Sequence, residues 1–465
     1  MTRLATLTLV LLLFIAVSPT QAALTPDQLE AAKAWLEKPA DERPAVDSLD
    51  LPSDLSKEDA AQVTEQLWKL MQETDPVEGS ALGPLPKSVQ ESIKDGKLEL
   101  HASTLPLGEH TMPFVVLRRE QQPAPEAGRP LFLCFHGGGA KPDADGPHSW
   151  AINTRELQAQ VQLSLGVYPS EGIYWIPRMA DDRLGRWWHY HNQVAIDAVI
   201  DHAVLHWGVD PNRVYILGIS EGGYGTDILA PYMPDRFAGA AAMAAGVGLG
   251  NPVANLRNVA FSTDVGEKDT MFDRRPLAEK FHAALDDLHE EDPEGYVHRL
   301  DVQAGRGHGV DYSQGTGWIP KYTRKPFPNK FVWIDQPLDN HRRSRMYWVN
   351  YPESEQEGLN RIVGTADSEA NRIELKAEKL SEKVAEGHPT HIDPPEGEIK
   401  PLSGAKLTLL LSDELVNLDK PVEVVVNGKS QTVEPSRSAG AILATLADRP
   451  DPTMAATCEV EVTVD

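Results

Sequence analysis

The sequence predicts an α/β protein. A mostly parallel sheet flanked by helices occupies the middle, with a short helical region before it and a β-rich, sandwich-like region after it. Three observations carry this. The 465 residues are 41% hydrophobic, enough for a sizeable core. From about residue 97, short β-type runs alternate with helical ones, as strands joined by covering helices require. From about residue 339 the runs are short and β-type throughout, with turn residues between them. The expected divisions are a leader at 1–22, a helical region at 23–96, an α/β region at 97–338 and a β-rich region at 339–465.

The leader has a positive start at Arg3, an apolar run of about 14 residues and small residues before Ala22. It reads as a secretory signal peptide. The run is shorter than the roughly 20 apolar residues a span needs, so the expected location is secreted or periplasmic, with no membrane contact after cleavage. In 23–96, Thr25-Pro26 starts a helix with Leu29, Ala32, Trp35 and Leu36 at helical spacing. Ser56, with Asp59 three positions on, caps a second helix whose Val63, Leu67, Leu70 and Met71 share a face. In the α/β region the β-type runs are 114–117, 130–135, 172–176, 213–217, 237–245, 259–263 and 297–303, with helices at 195–207 and 277–288. In the 195–207 helix, Ile196, Val199, Ile200, Ala203, Val204 and Trp207 form an apolar stripe. Asp197, Asp201, His202 and His206 take the other faces. The β-rich region offers runs at 345–351, 361–364, 372–375, 407–411, 422–426 and 458–464. It also carries an Asn427-Gly428 hairpin turn and a Pro-, His- and Gly-rich loop at 386–404.

Composition excludes several function classes. Asp and Glu number 69 against 44 Lys and Arg, a formal charge of −25, which argues against a nucleic-acid partner. Two cysteines, Cys134 and Cys458, do not make a disulfide scaffold. His202 with His206, and His189 with His191, have spacings a metal could use, but no H-E-x-x-H accompanies them. Neither a metal nor a cofactor is expected.

The chemistry-bearing motifs lie in the α/β region. Gly218-Ile219-Ser220-Glu221-Gly222-Gly223 directly follows a β-type run and precedes a helical segment. This G-x-S-x-G pattern puts a serine on a sharp strand-to-helix turn, where flanking side chains would collide. His136-Gly137-Gly138-Gly139 follows the run 130–135. Acyl transfer creates an oxyanion that needs preorganised donors. The N–H groups of Gly138 or Gly139, together with that of Glu221, are the candidates, and His136 reads as fixing the loop. The Glu221 side chain reads as facing solvent or a salt bridge.

With these motifs in order, residues 98–336 resemble the α/β-hydrolase superfamily. The resemblance implies a chain order of nucleophile, acid, histidine. Downstream of Ser220, Gly266-Glu267-Lys268-Asp269 follows the run 259–263, and Gly307-His308-Gly309 follows the run 297–303. Asp269 and His308 are therefore the expected acid and base, with Asp264, Asp273 and His298 as competitors. Trp187 and Trp188 are candidate pocket residues, or else a hydrophobic lid packed on the core. The resemblance implies a secreted serine esterase, similar to polyhydroxybutyrate-depolymerase-like and feruloyl- or acetyl-xylan-esterase-like proteins. Its substrate would be a small or polymeric ester. A prolyl-oligopeptidase-type peptidase and a non-catalytic binding protein on the same fold are the alternatives. The sequence leaves the acyl and alcohol groups and the oligomeric state open.

Overall fold

The computed structural model describes residues 23–74, 80–95, 97–100, 102–120, 123–247, 252–381 and 399–465. The leader 1–22 and most of the 386–404 loop lie outside these residues.

The central sheet has eight strands: β1 (Ala102–Leu107), β2 (His110–Arg119), β3 (Arg129–Phe135), β4 (Gly172–Pro177), β5 (Val209–Ile219), β6 (Gly239–Met243), β7 (Ala260–Gly266) and β8 (His298–Gln303). Their spatial order is β8-β7-β6-β5-β3-β4-β2-β1. Strands β3 to β8 run parallel, while β2 and β1 join antiparallel at one edge. Every residue of β4 and β6 is buried, which is why these segments read as unbroken apolar runs rather than alternating ones.

Successive side chains of β3 enter opposite cores. Leu131, Leu133 and Phe135 join the larger one, whereas Phe132 and Cys134 join the other. The first core is covered by α4 (Tyr190–His206), α5 (Glu221–Tyr232) and α6 (Arg274–Glu291). The second receives Val161 of α3 (Ala151–Gly166). The expected stripe of the 195–207 helix is buried throughout. Its other faces are only partly exposed. His202 is buried against the Gly83 carbonyl at 2.7 Å. Asp197 pairs with Arg236 at 3.1 Å and Arg343 at 2.5 Å.

Two helices precede the sheet, α1 (Pro26–Leu36) and α2 (Lys57–Thr74). Thr25 and Gln28 form a reciprocal capping box on α1, and Ser56 caps α2 through the Asp59 N–H at 3.1 Å.

The C-terminal region holds β9 (Lys330–Asp335), β10 (Leu359–Asp367), β11 (Arg372–Ser381), β12 (Lys406–Leu411), β13 (Val422–Val426), β14 (Lys429–Val433) and β15 (Cys458–Thr463). One sheet has the order β9-β10-β11-β13-β14. The other pairs β15 with β12 and two short strands at Arg345–Met346 and Val349–Asn350. Both sheets feed one core containing Trp333, Trp348, Ile362, Leu409 and Val424. Asn427 and Gly428, at φ 47° and 82°, make the hairpin turn.

Two features depart from the sequence reading. Strand β9, at the end of the expected α/β region, pairs with β10 of the C-terminal sheet. A helix α7 (Ala439–Asp448), capped by Ser438, interrupts the β-rich region. Its Ile442, Leu443 and Leu446 share a core with Trp35, Leu67 and Met71. The leading helices therefore pack on the far end of the chain. Buried ion pairs join the C-terminal region to the central sheet. Arg449 meets Asp235 at 2.6 Å, and Arg324 meets Asp451.

Candidate active site

The site lies at the C-terminal ends of β3, β5, β7 and β8, where loops of a parallel sheet converge. Ser220 sits between β5 and α5 at φ 56° and ψ −113°, a strained conformation for a side-chain-bearing residue. The turn is tight. A Cβ on Gly218 would lie 2.1 Å from the Gly222 oxygen, and one on Gly222 would lie 2.1 Å from the Phe135 oxygen. Only glycine fits at either position, the physical content of the motif.

The structure brings Ser220, His308 and Asp269 into one hydrogen-bonded line. His308 Nε2 lies 3.0 Å from Ser220 Oγ, and His308 Nδ1 lies 2.8 Å from Asp269 Oδ2. Asp269 is 3% exposed, whereas the His308 side chain is about half exposed. The two loops touch at Gly266, where a Cβ would lie 2.0 Å from the Gly307 oxygen. The competitors stand elsewhere. Asp264 is buried against Arg299 at 2.9 Å and accepts the Gly315 N–H at 2.8 Å. Burial pushes its carboxyl up to about 6, against the pull of Arg299. Asp273 is an exposed left-handed residue before α6, and His298 faces Tyr296 and Asp286.

The glycine loop is held from behind. His136 is buried, with Nδ1 on the Gly137 carbonyl and Nε2 accepting the Met179 N–H at 3.1 Å. Burial lowers it to about 4, so near neutral pH it is an uncharged strut. Asn153 of α3 donates to the Gly139 carbonyl at 3.0 Å and accepts the Gly139 N–H at 3.2 Å. The Gly139 N–H is therefore engaged, and of the two expected loop donors only Gly138 remains a candidate. Glu221 begins α5, whose N-terminal dipole adds positive potential beside Ser220. Its carboxylate is buried and accepts from Arg186 at 2.6 Å, a salt bridge rather than a solvent-facing group. Burial raises its carboxyl, and Arg186 opposes the rise.

A cavity of about 550 Å³ elsewhere, lined by Arg257, Glu294 and Lys325, lies away from these residues. The cavity that reaches Ser220 has about 530 Å³ and is lined by Gly138, Gly139, Arg186, Trp188, Glu221, Tyr224, Ile228, Val247, Phe272, Arg274 and Leu277. Of the two expected pocket tryptophans, Trp188 stands in its wall and Trp187 does not. Trp187 is fully buried, stacked on Phe135 at 4.6 Å, and donates to the His136 carbonyl at 3.0 Å. A Cβ on Gly225 would come within 2.5 Å of the Trp187 Cβ. The sequence reading missed Asn153, Tyr224 and Arg274, which carry no motif.

The strand order, the antiparallel edge and the position of the serine turn make this an α/β-hydrolase-like fold. The chain is similar to hydrolases and esterases. It is 30% identical over 144 residues to the acylcarnitine hydrolase of Rattus norvegicus, covering 30% of this chain and 24% of that one. It is 35% identical over 138 residues to the protein named "Putative esterase NocK" of Nocardia uniformis subsp. tsuyamanensis, covering 29% of this chain and 38% of that one. It is 40% identical over 53 residues to poly(3-hydroxyalkanoate) depolymerase C of Paucimonas lemoignei, covering 11% and 13%. The chain thus spans well under half the length of each of these relatives. No protein-family model matches it.

Proposed function

We propose that this chain is a secreted serine hydrolase of carboxylic esters. The observation that carries the reading is the line of hydrogen bonds from Ser220 Oγ through His308 to Asp269. His308 Nε2 takes the Ser220 proton as Oγ attacks the ester carbonyl. The N–H groups of Glu221 and Gly138 hold the oxyanion that forms. His308 then passes the proton to the departing alcohol, leaving an acyl group on Ser220. Water, deprotonated by His308, releases the acid and restores the serine. Asp269 holds Nδ1–H and favours the imidazolium.

The cavity along α5 takes the acyl group, since Trp188, Tyr224, Ile228 and Phe272 give it apolar walls and His308 stands outside it. The three relatives named for ester or acyl cleavage support the reaction class, and the expected leader supports export. Among the described residues no helix is long and apolar enough to cross a membrane. A panel of p-nitrophenyl acetate, feruloyl esters and dipeptidyl amides tests the proposal. Esters should be cleaved faster than amides; the reverse order would favour a peptidase.

A further inference from the structure

Arg274 opens α6 five residues after Asp269 and is 6% exposed. Its Nη1 donates to Asp269 Oδ1 at 3.1 Å, while the other oxygen, Oδ2, faces His308 Nδ1 at 2.8 Å. The two carboxylate oxygens therefore have different partners on different elements. The guanidinium lies over two rings of the acyl cavity, 5.1 Å from Phe272 and 5.8 Å from Tyr224. Its Nε is buried without a hydrogen-bond partner; Asp269 is its ion-pair partner, and its charge also reaches the Glu221 carboxylate.

We infer that Arg274 is a positioning residue for the reaction proposed above: it clamps Asp269 by Oδ1 so that Oδ2 stays aimed at His308. The inference rests on the Ser220–His308–Asp269 reading. A buried carboxylate with a single partner turns about its Cβ–Cγ bond and seeks other donors. A second, charged donor on the far oxygen stops that turn. Arg274 also lines the cavity beside Phe272 and Tyr224, so the acyl cavity and the acid share one side chain.

The test uses the full chain and three variants, Arg274→Ala, Arg274→Lys and Arg274→Gln. Hydrolysis of p-nitrophenyl acetate is measured with and without added ethylguanidinium. The acetyl group is too small to need the cavity wall, so KM should stay within about twofold. For Arg274→Ala, kcat should fall on the order of tenfold to a hundredfold, as expected when a catalytic group is misaimed. Ethylguanidinium should restore several-fold of that loss by entering the vacated space. Arg274→Lys should retain more activity than Arg274→Ala. If Arg274→Ala does not fold, Arg274→Gln keeps a neutral donor for Oδ1 without the charge and should fall between Ala and Lys in kcat at unchanged KM. Two results overturn the inference: unchanged kcat in a folded variant, or a loss that neither ethylguanidinium nor lysine relieves. The underlying reading is checked separately. Wild-type protein that a fluorophosphonate does not label at Ser220 defeats the triad itself, whatever the Arg274 variants do.

Discussion

Asn153 shows how one side chain sets a loop that the motif only names. It is completely buried, bonds both polar atoms of Gly139, and donates to Asp182 Oδ1 at 2.7 Å. Asn153→Ala should free the glycine loop and cut ester kcat by about tenfold or more, the scale of a misplaced oxyanion donor. Single-turnover kinetics on a folded variant checks this, and an unchanged acylation rate would remove Asn153 from the account. At this scale Ser220 stood out because a tight strand-to-helix turn demands glycine at fixed offsets, and Asp269 and His308 followed from the chain order that the resemblance implies; the structure brings the three within hydrogen-bond distance. Asn153, Arg274 and Tyr224 were not legible, since a lone polar residue on a helix has no spacing to betray it. Trp187 and Trp188 are adjacent in sequence, yet one is core and one lines the cavity. Their neighbours decide that, and the sequence does not show neighbours.

Elements were legible where their apolar pattern was strong. The parallel strands and the 195–207 stripe were read correctly because full or one-sided burial leaves a pattern in the sequence. Helix α3 was not read. Its buried residues are Asn153, Gln160, Val161 and Ser164, so its inner face is mostly polar. Helix α7 was missed inside a β-rich stretch, because its burial comes from α1 and α2, hundreds of residues away. The element junctions carry the next prediction. Gly266 ends β7 against the Gly307 carbonyl. Gly266→Ala should push the acid and histidine loops apart and lower kcat/KM by roughly a hundredfold. Steady-state kinetics with a melting curve separates this from unfolding; a stable, fully active variant would contradict it.

For the whole molecule, the C-terminal region matters through its buried charges. Asp235 is completely buried; burial pushes its carboxyl up, but Arg449 and Arg343 pull it down to about 2. Arg449→Met leaves that carboxylate without its nearest partner and should cost about 3–5 kcal/mol of stability, read by denaturant unfolding. Three histidines give the molecule an acid response. His136 and His191 are held down to about 4 and His282 to about 3, chiefly by burial. Each binds its proton more weakly folded than unfolded. The stability they contribute is therefore full above the ordinary histidine range near 6.5 and declines as pH falls from there towards 4 and 3. The melting temperature should drop over that window. His282→Leu, which removes one such group along with its bond to Thr263 Oγ1 at 2.9 Å, should make the slope shallower. An equal slope in both proteins would contradict this assignment.

The central claim is that Ser220 is a nucleophile activated by His308 and held in line by Asp269. The most direct measurement is covalent labelling of the folded chain by a fluorophosphonate, followed by mass mapping of the modified residue. The account predicts stoichiometric labelling at Ser220, none in Ser220→Ala, and sharply slower labelling in His308→Ala with the fold retained. Absence of labelling in the wild-type chain, or labelling that persists in Ser220→Ala, would contradict it.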